Sequence, residues 1–165
     1  MQHPKTLVVF ASPHPQGATA RLLDKYLTAK GITEYATFDC YATPVAPCND
    51  CGACKQAFRC RLRDLDAFLE QFTPCTRVIF AFPIYNAGVP APLKALLDRF
   101  QLFFNARFCL GRPKGSMPQK EAALLYTCGQ KDGYASQVRA IFEPMFTVMD
   151  TQLTEILVTS DTDKE

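Results

Sequence analysis

A chain of 165 residues is the length of one compact domain, and with 48% hydrophobic and 21% charged residues it can bury a sizeable core, which excludes a mostly disordered or fibrous chain. The formal net charge of +2, with Lys and Arg interspersed among Asp and Glu, lacks the clustered basic surplus of a nucleic-acid binder and excludes nucleic acid as the main partner. No apolar run approaches the roughly 18 residues of a membrane span, and MQHPKTLVVFASP leads straight into a strand-like segment instead of a signal peptide. The expected setting is therefore cytoplasmic and off the membrane. There, eight cysteines point to metal binding or redox chemistry sooner than to a disulfide framework.

Residues 5–11 (KTLVVFA) form a continuous apolar, β-branched run bounded by Pro4 and Ser12-Pro13, as expected of a strand buried on both faces. After the turn SPHPQG, the stretch ATARLLDKYLTAKG places Leu22, Leu23, Tyr26 and Leu27 at helical spacing, with Gly31 to stop the helix. Residues 34–40 read as a second strand and 64–72 (DLDAFLEQF) as a second helix, with an irregular Cys-rich segment at about 41–63 between them. Residues 77–82 (RVIFAF) repeat the buried-strand signal, followed by the turn-rich PIYNAGVPAP and one helix over LKALLDRFQLFF. A fourth strand at 121–128, a helix at 135–150 bent near Pro144 and a fifth strand at 152–159 complete the pattern. Strands spaced by helices imply βαβ units and a mainly parallel sheet. Only SDTDKE follows the fifth strand, so the helix that would cover that part of the sheet is expected to be absent.

Open parallel sheets bind ligands at the carboxyl ends of their strands, which singles out the loops after the first, third and fourth strands. SPHPQGATA carries hydroxyls at Ser12 and Thr19, a flexible Gly17 and then a helix start whose free N–H groups suit a phosphate; a plain helix cap by Ser12 or Thr19 is the alternative. In PIYNAGVPAPLK, three prolines and one glycine stiffen a loop that could grip the polar edge of a heteroaromatic ring, with Tyr85 stacking on its face or else lying in the core. TCGQKDG puts small residues where the fourth strand ends.

Cys48, Cys51, Cys54 and Cys60 form C-x2-C-x2-C-x5-C. Thiolates so spaced can converge on a four-iron, four-sulfur cluster, while zinc and an unmetallated or disulfide-bonded set remain open. Lys55, Arg59, Arg61 and Arg63 surround the motif and would favour thiolates, whereas Cys40, Cys75, Cys109 and Cys128 read as core or loop residues.

Taken together, FASPHPQGATARLL, PCNDCGACKQAFRC and FAFPIYNAGVPAPLKALLDRF resemble the flavodoxin-like NAD(P)H-dependent FMN reductases, and among them the iron–sulfur flavoprotein branch, over nearly the whole chain. The resemblance implies an α/β three-layer sandwich on a five-stranded parallel sheet in the order 2-1-3-4-5, a single FMN-binding domain over 1–165 with the Cys-rich insertion at about 41–63. It also implies that Ser12, His14, Ala18, Thr19 and Ala20, around Gly17, hold the phosphate. Pro83, Ile84, Tyr85, Asn86, Ala87 and Gly88 would line the isoalloxazine, with Cys128 and Gly129 closing the far side. His14 stands where an Arg is common and Ala18 where an Asn is common, so weaker FMN retention is expected than in a typical member.

The function so implied is hydride transfer from NAD(P)H to FMN, then electrons to a quinone, a flavin or another acceptor. Two alternatives stand beside it: an iron–sulfur flavoprotein that carries electrons from a ferredoxin-type partner, and a non-enzymatic zinc- or thiol-based redox sensor. Phe100, Phe103, Phe104 and Phe108 exceed what one helix face easily buries, and with the short C-terminal tail they predict a homodimer or homotetramer.

Overall fold

The computed structural model describes residues 5–131 and 133–162. Its strands are β1 (Thr6–Phe10), β2 (Ala36–Asp39), β3 (Arg77–Pro83), β4 (Lys120–Thr127) and β5 (Thr151–Thr159), and its helices are α1 (Ala18–Lys30), α2 (Asp66–Phe72), α3 (Ala91–Arg99), α4 (Gln101–Phe108) and α5 (Ala135–Val148). The five strands pair in parallel in the order β2-β1-β3-β4-β5, so the chain reverses direction across the sheet between β1 and β3. That is the switch point at which two strand-to-helix loops diverge and leave a crevice.

Strand alternation sorts the apolar side chains into two cores. Val8, Phe10, Ile79, Ala81, Ala123 and Leu125 pack under Leu23, Tyr26 and Leu27 of α1. On the other face Leu7, Val9, Val78, Phe80, Phe82, Leu124 and Tyr126 meet the remaining helices through an aromatic stack that includes Phe68, Phe72, Phe100, Phe142 and Phe146. Gly31 closes α1 in the left-handed conformation (φ 62°), with the following N–H, from Ile32, reaching back to Leu27.

The single helix expected over 93–104 is two helices. Phe100 (φ −67°, ψ −5°) turns the chain between α3 and α4, and its ring is held 5.4 Å from Phe68 and 6.1 Å from Phe72. Apolar spacing runs on through so short a turn, which is why periodicity does not register the corner. The corner also disposes of part of the aromatic surplus: Phe100 and Phe103 are buried in the chain's own core, while Phe104 and Phe108 stay exposed with their rings 4.6 Å apart.

α5 continues through Pro144. Among the described residues no helix follows β5, whose outward residues include Val158 at 46% exposure. Glu155 of β5 is instead met from α1 by the Tyr26 hydroxyl at 3.2 Å and by Lys30 at 2.8 Å. No helix among the described residues is long and apolar enough to cross a membrane.

Candidate functional site

The loop after β1 folds on itself before α1 begins. Ser12 is buried and its hydroxyl oxygen accepts the His14 N–H at 3.2 Å, closing the turn instead of capping the helix. Gly17, at the N-cap, donates its N–H to the His14 carbonyl at 3.1 Å, and a Cβ there would lie 2.9 Å from the His14 Cβ, so only glycine allows this approach. Thr19 does not cap either: its hydroxyl is buried and lies 2.9 Å from that of Thr127, at the end of β4. Among the described residues no side chain caps α1. The N–H groups of Ala18, Thr19 and Ala20 therefore form an uncapped positive helix end, the arrangement that receives a phosphate.

At the end of β3 the Ile84 N–H reaches the Thr127 carbonyl at 2.8 Å. Tyr85 and Gly88 then exchange two hydrogen bonds of 2.9 Å across a tight turn whose central residues, Asn86 (φ 49°) and Ala87 (φ 61°), are both left-handed. Positive φ at both central positions is the type I′ pattern, readily adopted by Asn and strained for Ala. Tyr85 is 44% exposed and so stands outside the core. Burial raises the titration of the Tyr41 phenol, with smaller pushes from Tyr85 and Cys40.

The third loop closes a cleft of ≈ 670 Å³ lined by Pro83–Ala87, Thr127–Gln130, Tyr134 and Thr162. That volume is in the range of small-molecule and cofactor sites. Cys128 is buried, with its thiol donating to the Gln130 carbonyl at 3.3 Å. A larger cleft of ≈ 790 Å³ opens at the opposite, amino end of the sheet near Lys5, Arg77, Lys120 and Asp150. The carboxyl-edge cleft is the cofactor candidate, because it lies at the carboxyl ends of β3 and β4 and its Thr127 touches Thr19 in the first turn of α1. An uncapped helix start, a glycine with no space for a Cβ and an adjoining cleft of this size fit an FMN phosphate and ring.

The four-cysteine segment packs against α4 and the core on the sheet face opposite α1. Cys48 and Cys51 are exposed, Cys54 and Cys60 half-buried, and all four line one cavity of ≈ 20 Å³ together with Arg99 and Leu102. Among the described residues no three His, Cys, Asp or Glu side chains are placed to hold a single metal ion. The donor set nevertheless fits an iron–sulfur cluster: four thiols share one cavity, beside the single carboxylate of Asp50, with side-chain N–H groups already on two sulfurs. Arg99 Nη2 lies 3.1 Å from Cys60 Sγ, and Asn105 Nδ2 lies 3.1 Å from Cys54 Sγ. Phe58 anchors the segment, its ring 5.8 Å from Phe103 and covered by the Arg112 guanidinium at 3.9 Å.

Arg99 and Asn105 are the site residues that the sequence reading missed. Lys55, Arg59, Arg61 and Arg63 are all exposed, and the cation that touches a sulfur comes from α3. The run LKALLDRFQLFFNARF holds six polar residues, and its spacing does not separate Arg99 and Asn105 from Lys94, Asp98, Gln101 and Arg107. Burial alone would raise the Asp64 carboxyl, but the Ala46 N–H and Arg99 together hold it below its ordinary value.

Comparison with known proteins agrees with this geometry. The family described as having a flavodoxin-like fold matches residues 4–158. An iron–sulfur flavoprotein of Methanosarcina thermophila is 38% identical over 73 residues, 44% of this chain and 38% of that protein. An FMN-dependent NADH:quinone oxidoreductase 2 of Halalkalibacterium halodurans is 34% identical over 89 residues, 51% of this chain and 42% of that protein. The matches thus span less than half the length of either relative. Among solved structures, an NAD(P)H:quinone oxidoreductase from Methanothermobacter marburgensis superposes with a TM-score of 0.70 at 15% identity, covering 97% of this chain and 88% of that one, a likeness of fold.

Proposed function

The chain belongs to the family of the flavodoxin-like fold, and from that premise we propose that it is an FMN-dependent oxidoreductase that oxidises NAD(P)H and passes the electrons to a quinone, a flavin or another small acceptor. The observation that carries the reading is the Thr19–Thr127 hydroxyl contact of 2.9 Å, which joins the uncapped first turn of α1 to the end of β4, where Thr127 and the turn at Asn86–Ala87 line one cleft of ≈ 670 Å³.

In this reading Ser12, His14, Gly17, Ala18, Thr19 and Ala20 hold the phosphate, mainly through backbone N–H groups, because the Ser12 and Thr19 hydroxyls are engaged within the protein. Pro83, Ile84, Tyr85, Asn86, Ala87 and Gly88 line one side of the ring, and Cys128 and Gly129 the other. Bound FMN supplies the hydride-accepting centre and the ability to release electrons one or two at a time. The protein contributes position: a stiff turn presents backbone groups to the ring edge, and exposed Tyr85 is available to stack on a ring face. No acid–base pair is required of the chain. The 165 residues act as one FMN-binding unit with the Cys-rich insertion, in the cytoplasm, and the exposed Phe104–Phe108 pair serves assembly into a homodimer or homotetramer.

A second reading, favoured by the N–H contacts to Cys54 and Cys60, is an iron–sulfur flavoprotein that exchanges electrons with a ferredoxin-type partner. One anaerobic experiment separates the two. The full chain is reconstituted with FMN, with and without iron and sulfide, and its visible spectrum is followed during addition of NADH or NADPH and then of a quinone. Bleaching of the flavin by the nicotinamide and its recovery with quinone support the reductase. A flavin reduced only by ferredoxin or dithionite supports the carrier, and a chain that takes up no flavin overturns both.

A further inference from the structure

Two buried polar side chains next to the four-cysteine segment have a chemistry that covering a sheet does not require. Arg99 at the end of α3 and Asn105 in the middle of α4 are each 2% exposed. Arg99 leaves the helix toward the Cys-rich segment: Nη1 donates to the Ala46 carbonyl at 2.7 Å, and Nη2 lies 2.8 Å from the Leu62 carbonyl, 2.9 Å from Asp64 Oδ1 and 3.1 Å from Cys60 Sγ. Nε has no partner among the described residues. Asn105 gives Nδ2 to Cys54 Sγ and receives the Cys109 thiol on Oδ1 at 3.5 Å.

A buried guanidinium is costly unless it is paired and hydrogen-bonded. Two carbonyls and Asp64 would suffice for a clamp that merely ties the segment to α3. The contact to Cys60 is additional, and Asn105 repeats it independently on Cys54, six residues further along the chain in a separate helix. Both contacts fall on cysteines of the C-x2-C-x2-C-x5-C motif, and they fall on its two half-buried members; Cys48 and Cys51 are exposed.

We propose that Arg99 and Asn105 are positioning residues of the four-cysteine site, which orient the sulfurs of Cys60 and Cys54 toward their shared cavity and favour the reduced state of an iron–sulfur cluster held there. The proposal rests on the reading that these four cysteines carry such a cluster. One-electron reduction adds one negative charge, spread over cluster and thiolate sulfurs. N–H groups directed at those sulfurs, and a fixed guanidinium beside one of them, stabilise that charge and raise the reduction potential.

The test uses the full chain reconstituted anaerobically with iron and sulfide. Iron and sulfide per chain are measured first. The midpoint potential then comes from a dithionite titration followed by electron paramagnetic resonance, and the rate of iron loss from a chelator challenge. The variants are Asn105→Leu, which keeps the volume and removes the N–H, and Arg99→Lys, which keeps the charge and removes the fork. Phe146→Leu, in α5, is a control for general loosening of the core. Both site variants are expected to titrate at more negative potential than the wild type and to lose iron several-fold faster, while Phe146→Leu keeps the wild-type potential at lower thermal stability. A folded site variant that cannot load the cluster at all also supports a positioning role. Asn105→Leu with full iron content, wild-type potential and wild-type iron retention overturns the proposal and leaves the contacts as loop packing. Wild-type protein that takes up no iron and sulfide fails at the first measurement, overturning the cluster reading and the proposal with it. If Arg99→Lys does not fold, Asn105→Leu decides alone.

Discussion

The hydroxyls of Thr19 and Thr127 lie 2.9 Å apart in a buried contact that ties the first turn of α1 to the carboxyl end of β4. With its hydroxyl committed there, Thr19 would meet the phosphate of the proposed FMN site through its backbone N–H. Thr19→Val should therefore destabilise the protein by about 1–3 kcal/mol, because the Thr127 hydroxyl is left buried without a partner, and the double variant with Thr127→Val should recover most of that loss. FMN affinity should change by less than about tenfold, or about 1.4 kcal/mol. Urea unfolding and fluorescence titration check both halves. A much larger loss of FMN binding with stability unchanged would show the hydroxyl turned toward the phosphate instead.

Ala87 holds φ at 61° in the turn that borders the cleft. A Cβ in left-handed backbone costs roughly 1–2 kcal/mol, part of which glycine gives back as greater freedom of the unfolded chain. Ala87→Gly is expected to stabilise the fold by about 1 kcal/mol, equivalent to a rise of about 2–4 °C in Tm. Asn86→Ala, which places a second alanine in left-handed backbone, should have the opposite sign. Thermal unfolding of the two variants is the measurement.

Much of this architecture was legible in the sequence, because buried parallel strands read as unbroken β-branched runs. TLVVF and RVIFAF become β1 and β3, and Gly31 ends α1 where the residue type says it should. The two side-chain caps weighed for α1 were not found, since Ser12 and Thr19 spend their hydroxyls on partners outside the helix, one of them 108 positions away. Spacing along the chain carries no information about such a partner. The same limit hid Arg99 and Asn105, which sit 39 and 51 positions from the sulfurs that they touch. Tyr85 shows the converse: its exposure follows from the two left-handed residues beside it, and no pattern of apolar residues encodes that turn.

Cysteine reactivity should divide along burial. Burial pushes the Cys40 thiol up to about 12, helped by Asp39, and the Cys75 thiol up to about 11. Both, with buried Cys128, should resist alkylation near neutral pH, whereas exposed Cys48, Cys51 and Cys109 react first. Brief treatment of the metal-free chain with iodoacetamide, followed by peptide mass spectrometry, reads this out. Early modification of Cys40 or Cys75 would contradict their burial in the core on the face of the sheet opposite α1.

The Tyr26 phenol is pushed up to about 12, first by burial and then by the charge and hydrogen bond of Glu155. Its folded value exceeds the unfolded one of 10.0, so the folded state keeps a proton that the unfolded state releases. The stability this provides is fully present below pH 10 and is lost as pH rises through 12. Cys40 and Cys75 shift in the same direction, so the wild type alone does not isolate the tyrosine. Tyr26→Phe removes its share, and the stability difference between wild type and variant should shrink across that alkaline interval. A difference that stays constant with pH would remove Tyr26 from the linkage.

In the proposed function the first loop also sets how tightly FMN is retained. His14 is exposed and its backbone is used to shape the turn, N–H to Ser12 and carbonyl to Gly17. Ala18, in the first turn of α1, offers an N–H and no side-chain donor. In the proposed site, phosphate binding would rest on backbone dipoles, without the charge-assisted hydrogen bond that an arginine would add, a contact of about 1.5–3 kcal/mol. The expected dissociation constant is micromolar or weaker. His14→Arg should tighten it by about tenfold or more, and salt should erode that gain because an exposed guanidinium is screened. Fluorescence titration of both proteins at low and high ionic strength tests the account. Submicromolar binding by the wild type would mean that the uncapped N–H groups of Ala18, Thr19 and Ala20 are sufficient anchors by themselves.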